Sequence, residues 1–209
     1  MRVIHLSAEC YPVAKAGGLG DVVGSLPKYL QASGVNSAVV MPYYEKPFVT
    51  AHEFVPVFEG AFQLQDRHVT FSVLKEAHTT LGFDLFLIFI PGLLDRPEIY
   101  SYPDERIQFL AFQVAFLEWL IRQPEQPDVL HCHDHHTGLI PFMISYAYRY
   151  NMLHTIPTVF TIHNGQYQGM MGWEHAGLLP AFDPHVSGML DWDGLINPLA
   201  SAIKCCWRY

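Results

Sequence analysis

An α/β fold with a mostly parallel sheet is predicted by three features of the sequence. Short apolar runs at 2–8, 37–41, 128–132 and 158–162 alternate with longer stretches whose apolar residues recur at helical spacing, the pattern of βαβ units. Within 48–92 the pattern changes to period-two alternation interrupted by turn residues, which predicts β-hairpins, at least partly antiparallel. The first run and the first helical stretch are joined by a glycine loop, Lys15-Ala16-Gly17-Gly18-Leu19-Gly20-Asp21.

The elements follow in order. After the strand at 2–8, a loop from Glu9 to Gly18 containing Pro12 is long for a strand-to-helix connection, and such loops are often functional. Leu19, Val22, Val23, Leu26 and Leu30 give the next helix its apolar stripe; Pro27 predicts a kink or restart, and Gly34 an end. Pro42 stops the second strand. Gly60, Asp66-Arg67 and Gly82 separate the alternating runs at 54–58, 69–73 and 83–90. A loop at 91–103 precedes a helix carrying Ile107, Leu110, Ala111, Val114, Leu117 and Ile121, so apolar that it must be largely buried. Thr137 is expected to cap the helix through Leu139, Ile140, Met143, Ile144 and Ala147. Residues 165–195 are loop-rich. Asn197-Pro198 then opens a helix with a stripe of Leu199, Ala202, Ile203, Cys206 and Trp207, in which the chain stops without an exit signal, as if cut from a longer protein.

Half of the 209 residues are hydrophobic and 15% are charged, enough for a sizeable core in one large domain or two small ones. A net charge of −8 argues against general nucleic-acid or anionic-membrane binding, which needs a basic surface. Four cysteines, two of them adjacent at 205 and 206, predict reduced thiols and a cytoplasmic protein, and no leader or membrane span is indicated.

Ligands of open parallel sheets sit outside the carboxyl ends of the strands. Three unusual stretches fall there: the glycine loop, His131-Cys132-His133-Asp134-His135-His136-Thr137-Gly138, and His163-Asn164-Gly165-Gln166-Tyr167-Gln168-Gly169. Glycines at a helix start let a ligand approach the backbone, the helix end favours an anion, and Lys15 adds charge, so the set suits a polyhydroxylated, phosphorylated ligand. Gly18, Gly20 and Gly24 read G-x-G-x-x-x-G, one residue too long for a dinucleotide fingerprint, and no Gly-Lys-Ser/Thr marks a P-loop. The consecutive histidines are expected to diverge, which argues against zinc; no metal is expected. His131 and Cys132 read as packed strand residues. Tyr167 and Trp173, in loops, are candidates for stacking on sugar rings.

Ser7-Ala8-Glu9 followed by Lys15-Ala16-Gly17-Gly18-Leu19-Gly20-Asp21-Val22, then Asp95-Arg96-Pro97, Tyr102-Pro103-Asp104, His133-Asp134-His135-His136-Thr137-Gly138, Thr161-Ile162-His163-Asn164 and Tyr167-Gln168-Gly169, closely resemble the amino-terminal half of bacterial glycogen synthases and plant starch synthases. The resemblance implies a GT-B glycosyltransferase. Residues 1–209 would form its amino-terminal, acceptor-side Rossmann-like domain, with helices on both sheet faces, cut before the donor-binding domain. The parent would extend an α-1,4-glucan from ADP-glucose or UDP-glucose with retention, needing no metal or other cofactor. Lys15, Gly17 and Gly18 would meet the donor phosphates and glucose, Asp134 and His163 would act at the transferred glucose, and Glu9 and Tyr167 would face the acceptor. His135 stands where many relatives have tryptophan, and Gly165-Gln166 where a Leu-Ala-like pair is commoner. The motifs of the second domain are missing, so the chain alone is expected to be inactive. A non-catalytic glucan-binding module is the alternative.

Overall fold

Residues 1–206 are described in a computed structural model. The chain runs β1 (Arg2–Leu6), α1 (Gly18–Ala32), β2 (Asn36–Pro42), α2 (Pro47–Ala51), β3 (Phe54–Leu64), β4 (Arg67–Glu76), β5 (Asp84–Phe89), α3 (Glu105–Leu120), β6 (Val129–His133), α4 (Ile140–Tyr146), β7 (Thr158–Thr161), β8 (Asp191–Trp192), β9 (Leu195–Ile196) and α5 (Pro198–Cys205). Seven strands form one sheet in the order β3-β4-β5-β2-β1-β6-β7. The five strands from β5 to β7 pair in parallel, and β3 and β4 join antiparallel at one edge. The predicted hairpin region therefore extends the main sheet, and its last strand belongs to the parallel core.

Because side chains alternate across a sheet, the core divides in two. Ile4, Leu6, Val40, Ile88 and Cys132 pack under α3 and α4 on one face. Val39, Met41, Leu85 and Leu87 pack with Leu19 and Val23 of α1 on the other. Helices thus cover both faces, and the loops after β1, β6 and β7 leave the sheet at the same end.

Several local expectations are corrected. Gly60 does not end a strand: it lies inside β3, where an added Cβ would come within 2.7 Å of the Phe58 ring and 2.9 Å of the Phe71 ring. The hairpin turn lies at Gln65 and Asp66, the former with φ of 53°, within one residue of the expected Asp66-Arg67. Pro27 sits within a continuous α1, because Leu19, Val23 and Pro27, four residues apart, form one buried row that holds the helix past the missing donor. Val22, expected in that stripe, is 40% exposed. Thr137 does not cap α4, which starts at Ile140; its hydroxyl donates to the His133 and Asp134 carbonyls within a short 3-10 turn, His135–Thr137.

Gly34, with φ of 82°, does end α1, and Val35 N–H closes back onto the Leu30 carbonyl. The Asn197 side chain accepts the Ala200 N–H at 2.9 Å to cap α5. In that helix Leu199 and Ala202 are buried while Ile203 is 52% exposed; Trp207 of the predicted stripe lies outside the described residues. Among the described residues none of the four cysteines forms a disulfide. Among the described residues no helix is long and apolar enough to cross a membrane.

Candidate functional site

The glycine loop is organised by Glu9. This buried carboxylate accepts the N–H groups of Ala16 and Gly17 at 2.7 and 2.9 Å through one oxygen, and the Tyr100 hydroxyl at 2.7 Å through the other. Burial, then the bond to Glu9, raises the Tyr100 pKa, so Tyr100 stays a donor. An anion does occupy the loop amides, but it is the protein's own. The glycines divide into two kinds. Cβ atoms on Gly17 or Gly18 would meet nothing within 4 Å, whereas one on Gly24 would lie 2.3 Å from the Tyr11 carbonyl oxygen. Gly24 is thus required by packing. Gly17, at a φ of −143°, is open to any residue, so neither packing nor backbone conformation calls for glycine there; the space it leaves belongs to the cavity.

Asp134 follows β6 with φ of 57° and ψ of 179°, a conformation that costs a non-glycine residue about 1–3 kcal/mol. Its surroundings enforce it. The Asp134 N–H donates to the Thr161 carbonyl, its own carbonyl accepts from Thr137, and its carboxylate accepts the N–H groups of His163 at 2.7 Å and Asn164 at 3.2 Å. The turn after β7 is thereby bonded to the turn after β6.

The face of the sheet shared with α1 carries a polar seam. His5 of β1 is in register with His131 of β6, and His133 with Thr161 of β7. Nδ1 of His133 lies 2.9 Å from Nε2 of His163, Nε2 of His133 3.4 Å from Nδ1 of His5, and Nε2 of His5 3.1 Å from the Ser37 hydroxyl. His131 Nε2 pairs with the Thr161 hydroxyl at 2.7 Å. Burial, followed by the neighbouring imidazole His131, lowers the His5 pKa to about 3; burial and then His163 lower that of His131 to about 4. Burial also holds His133 well below 6.5. His5, His131 and His133 are therefore neutral at physiological pH.

The expectation that the histidines diverge is not met. His131 and His133 share a sheet face, and the 3-10 turn brings the rings of His135 and His136 to 3.7 Å between centroids. Among the described residues two groups bring three ligand atoms within 4.8 Å of one another: His5, His131 and His133, and Glu105, His135 and His136. In the first, both nitrogens of His133 already face other imidazoles.

Glu9, Gly17, Gly18, Asp134, His163 and Tyr167 line one open cavity of about 1130 Å³ at the carboxyl ends of β1, β6 and β7. Lys15 does not: its ammonium donates to both oxygens of Asp21, at 2.7 and 2.6 Å. Sequence reasoning missed Tyr100 and Arg106 on the cavity wall, and placed His136 at the ligand edge only as part of the histidine stretch, without a role of its own. Tyr100 stacks on His136 at 5.0 Å, and the buried His136 Nδ1 has no hydrogen-bond partner among the described residues. The consecutive histidines were a signal for His136; the other two lie in a loop and helix start that become cavity wall only through the long-range docking of α3 on the 3-10 turn.

Comparison with known proteins places this geometry among relatives. Residues 2–209 match the family described as the starch synthase catalytic domain. Over 205 residues the chain is 48% identical to a glycogen synthase of Flavobacterium johnsoniae, covering 98% of this chain and 43% of that protein. A glycogen synthase of Streptococcus agalactiae serotype III is 36% identical, with 97% and 43% covered. Among solved structures, the catalytic domain of starch synthase IV from Arabidopsis thaliana, bound to ADP and acarbose, matches with a TM-score of 0.82 at 25% identity over 98% of this chain and 43% of that one. The chain therefore spans about two fifths of the length of these relatives.

Proposed function

The chain belongs to the starch synthase catalytic domain family, and from that premise we propose that residues 1–209 form the amino-terminal, acceptor-side domain of a glycogen or starch synthase. The parent transfers glucose with retention from ADP-glucose or UDP-glucose to an α-1,4-glucan in the cytoplasm, without a metal or other cofactor, and needs a carboxy-terminal GT-B domain to hold the donor. The observation that carries this reading is the convergence of Glu9, Gly17, Gly18, Asp134, His163 and Tyr167 on a single cavity at the strand ends.

Each residue has a role in keeping with its surroundings. The free space at Gly17 and Gly18 admits the donor's phosphates and glucose close to the backbone. Lys15 meets the phosphates after leaving Asp21, an exposed pair worth at most about 1 kcal/mol. Asp134 and His163, joined by the 2.7 Å bond, flank the transferred glucose, where positive charge grows at the reacting carbon. Glu9 has three of about four lone-pair positions filled, so it braces the loop and keeps one for a glucan hydroxyl. Tyr167, 62% exposed on the cavity rim, offers a face to an acceptor sugar.

The test is nucleotide release from each donor in the presence of glycogen, measured on the full-length protein and on the 209-residue chain. Turnover by the full-length protein and none by the chain is expected, because half of the charge stabilisation lies in the other domain. Ordinary turnover by the chain alone would overturn the half-site reading. Glucan binding by a full-length protein that transfers no glucose would replace it with the non-catalytic module.

A further inference from the structure

Behind His163 the polar seam forms a continuous chain, His163–His133–His5–Ser37, linked at 2.9, 3.4 and 3.1 Å. It runs diagonally across the sheet, from the loop after β7 through β6 and β1 to β2, dropping two register positions at each step, since His5 is level with His131 and Val3 with Ser37. His133, His5 and Ser37 are each at most 1% exposed, so solvent does not compete for their nitrogens and hydroxyl. A neutral imidazole has one N–H and one lone pair, so each link that is set determines the next. If Nε2 of His163 donates inward, every ring in the chain donates inward and Nδ1 of His163 is an acceptor; if Ser37 donates outward, every ring follows and that Nδ1 is a donor. Among the described residues Nδ1 of His163 has no protein partner, and His163 lies on the cavity wall.

We propose that His133 and His5 are positioning residues: through this chain they fix the ring plane and tautomer of His163, and so decide whether it offers a donor or an acceptor to a sugar hydroxyl in the cleft. The inference rests on the reading of the cleft as a glucosyl-transfer site. Neither residue touches substrate; both act through His163. The buried face of a parallel sheet ordinarily takes apolar residues, and here three adjacent strands supply two imidazoles and a hydroxyl in hydrogen-bond contact.

Two measurements test this. In the 209-residue chain with 15N-labelled histidine, the ring-nitrogen shifts of His163 are expected to report one tautomer, and a mixture in His133→Phe and His5→Phe. In the full-length enzyme, kcat is expected to fall roughly 10- to 100-fold in His133→Phe with donor KM within about threefold. His133→Asn, which keeps a polar atom near the Nδ1 position, should recover about tenfold of that loss. Unchanged His163 shifts in a folded variant, or unchanged kcat, would overturn the proposal. So would one equivalent of zinc in the purified protein that is lost in His5→Phe, since the links between the rings would then be coordination. Should His133→Phe not fold, His5→Phe, one ring further from the cleft, carries the same readouts. A wild-type enzyme that transfers no glucose would remove the glucosyl-transfer reading while the nitrogen shifts still judge the relay.

Discussion

The carboxylate of Asp134 accepts the backbone N–H of His163 at 2.7 Å, so the two residues assigned to the transferred glucose form one hydrogen-bonded unit spanning two strand ends. The same carboxylate holds Asp134 at a φ of 57°. Removing it therefore has two opposed effects, loss of charge-assisted bonds worth about 1.5–3 kcal/mol and, with glycine only, relief of about 1–3 kcal/mol of backbone strain. Asp134→Gly is expected to stay within about 1 kcal/mol of wild-type stability, and Asp134→Ala to lose about 2 kcal/mol, in urea denaturation. Equal losses would show that the backbone at this position is unstrained. Glucosyl transfer should drop at least about 100-fold in both.

The two kinds of glycine separate folding from binding. Gly24→Ala places a Cβ 2.3 Å from a backbone oxygen and is expected to cost more than about 2 kcal/mol. Gly17→Ala meets nothing, so stability should remain within about 0.5 kcal/mol while donor KM rises about tenfold or more. Thermal melts beside donor titrations check both. A Gly17→Ala enzyme with normal donor KM would take this glycine out of the donor site.

The histidine seam makes stability depend on acid. His5 and His131 have native pKa values of about 3 and 4, below the 6.5 of an unfolded histidine. Between these limits the unfolded chain binds protons that the folded chain does not. Their contribution is thus constant above pH 6.5, falls by about 1.4 kcal/mol per pH unit for each histidine as pH drops, and levels off near pH 4 and 3. Denaturation midpoints measured from pH 7.5 to 4.5 should show this slope, and it should be shallower by one histidine in His5→Phe.

Far from the cleft, Glu118 of α3 is fully buried in its side chain and bonded to Arg149, Arg122 and Tyr150. Burial alone would raise its pKa, but the hydrogen bonds from these three groups outweigh it and keep the carboxylate below its usual range. Arg149→Met should cost about 1.5–3 kcal/mol in chemical denaturation without changing kcat, because the remaining partners must hold a buried charge.

The parallel strands, the helix after the glycine loop and the Asn197 cap were legible because each rests on local signals: apolar runs, periodicity and capping chemistry. The place of β5 within the parallel core was not, since alternation reports one-sided burial and says nothing of which strand becomes a neighbour. Asp134 and His163 could be named from motifs, yet their hydrogen bond depends on β6 and β7 being adjacent. His5 was hidden more thoroughly. It stood within an apolar run and read as core, and only the register of β1 against β6 brings it to His131 and His133.

The ion pair between Lys15 and Asp21 also bears on tempo. Both side chains are substantially exposed, so the ammonium leaves and rejoins its partner on the picosecond-to-nanosecond scale of surface rotamers. Were the parent to turn over about 10 times per second, the pair would break and re-form on the order of 10⁸ times per cycle. Asp21 would then be a resting place without being a gate, because release of Lys15 would be far too fast to limit the proposed transfer.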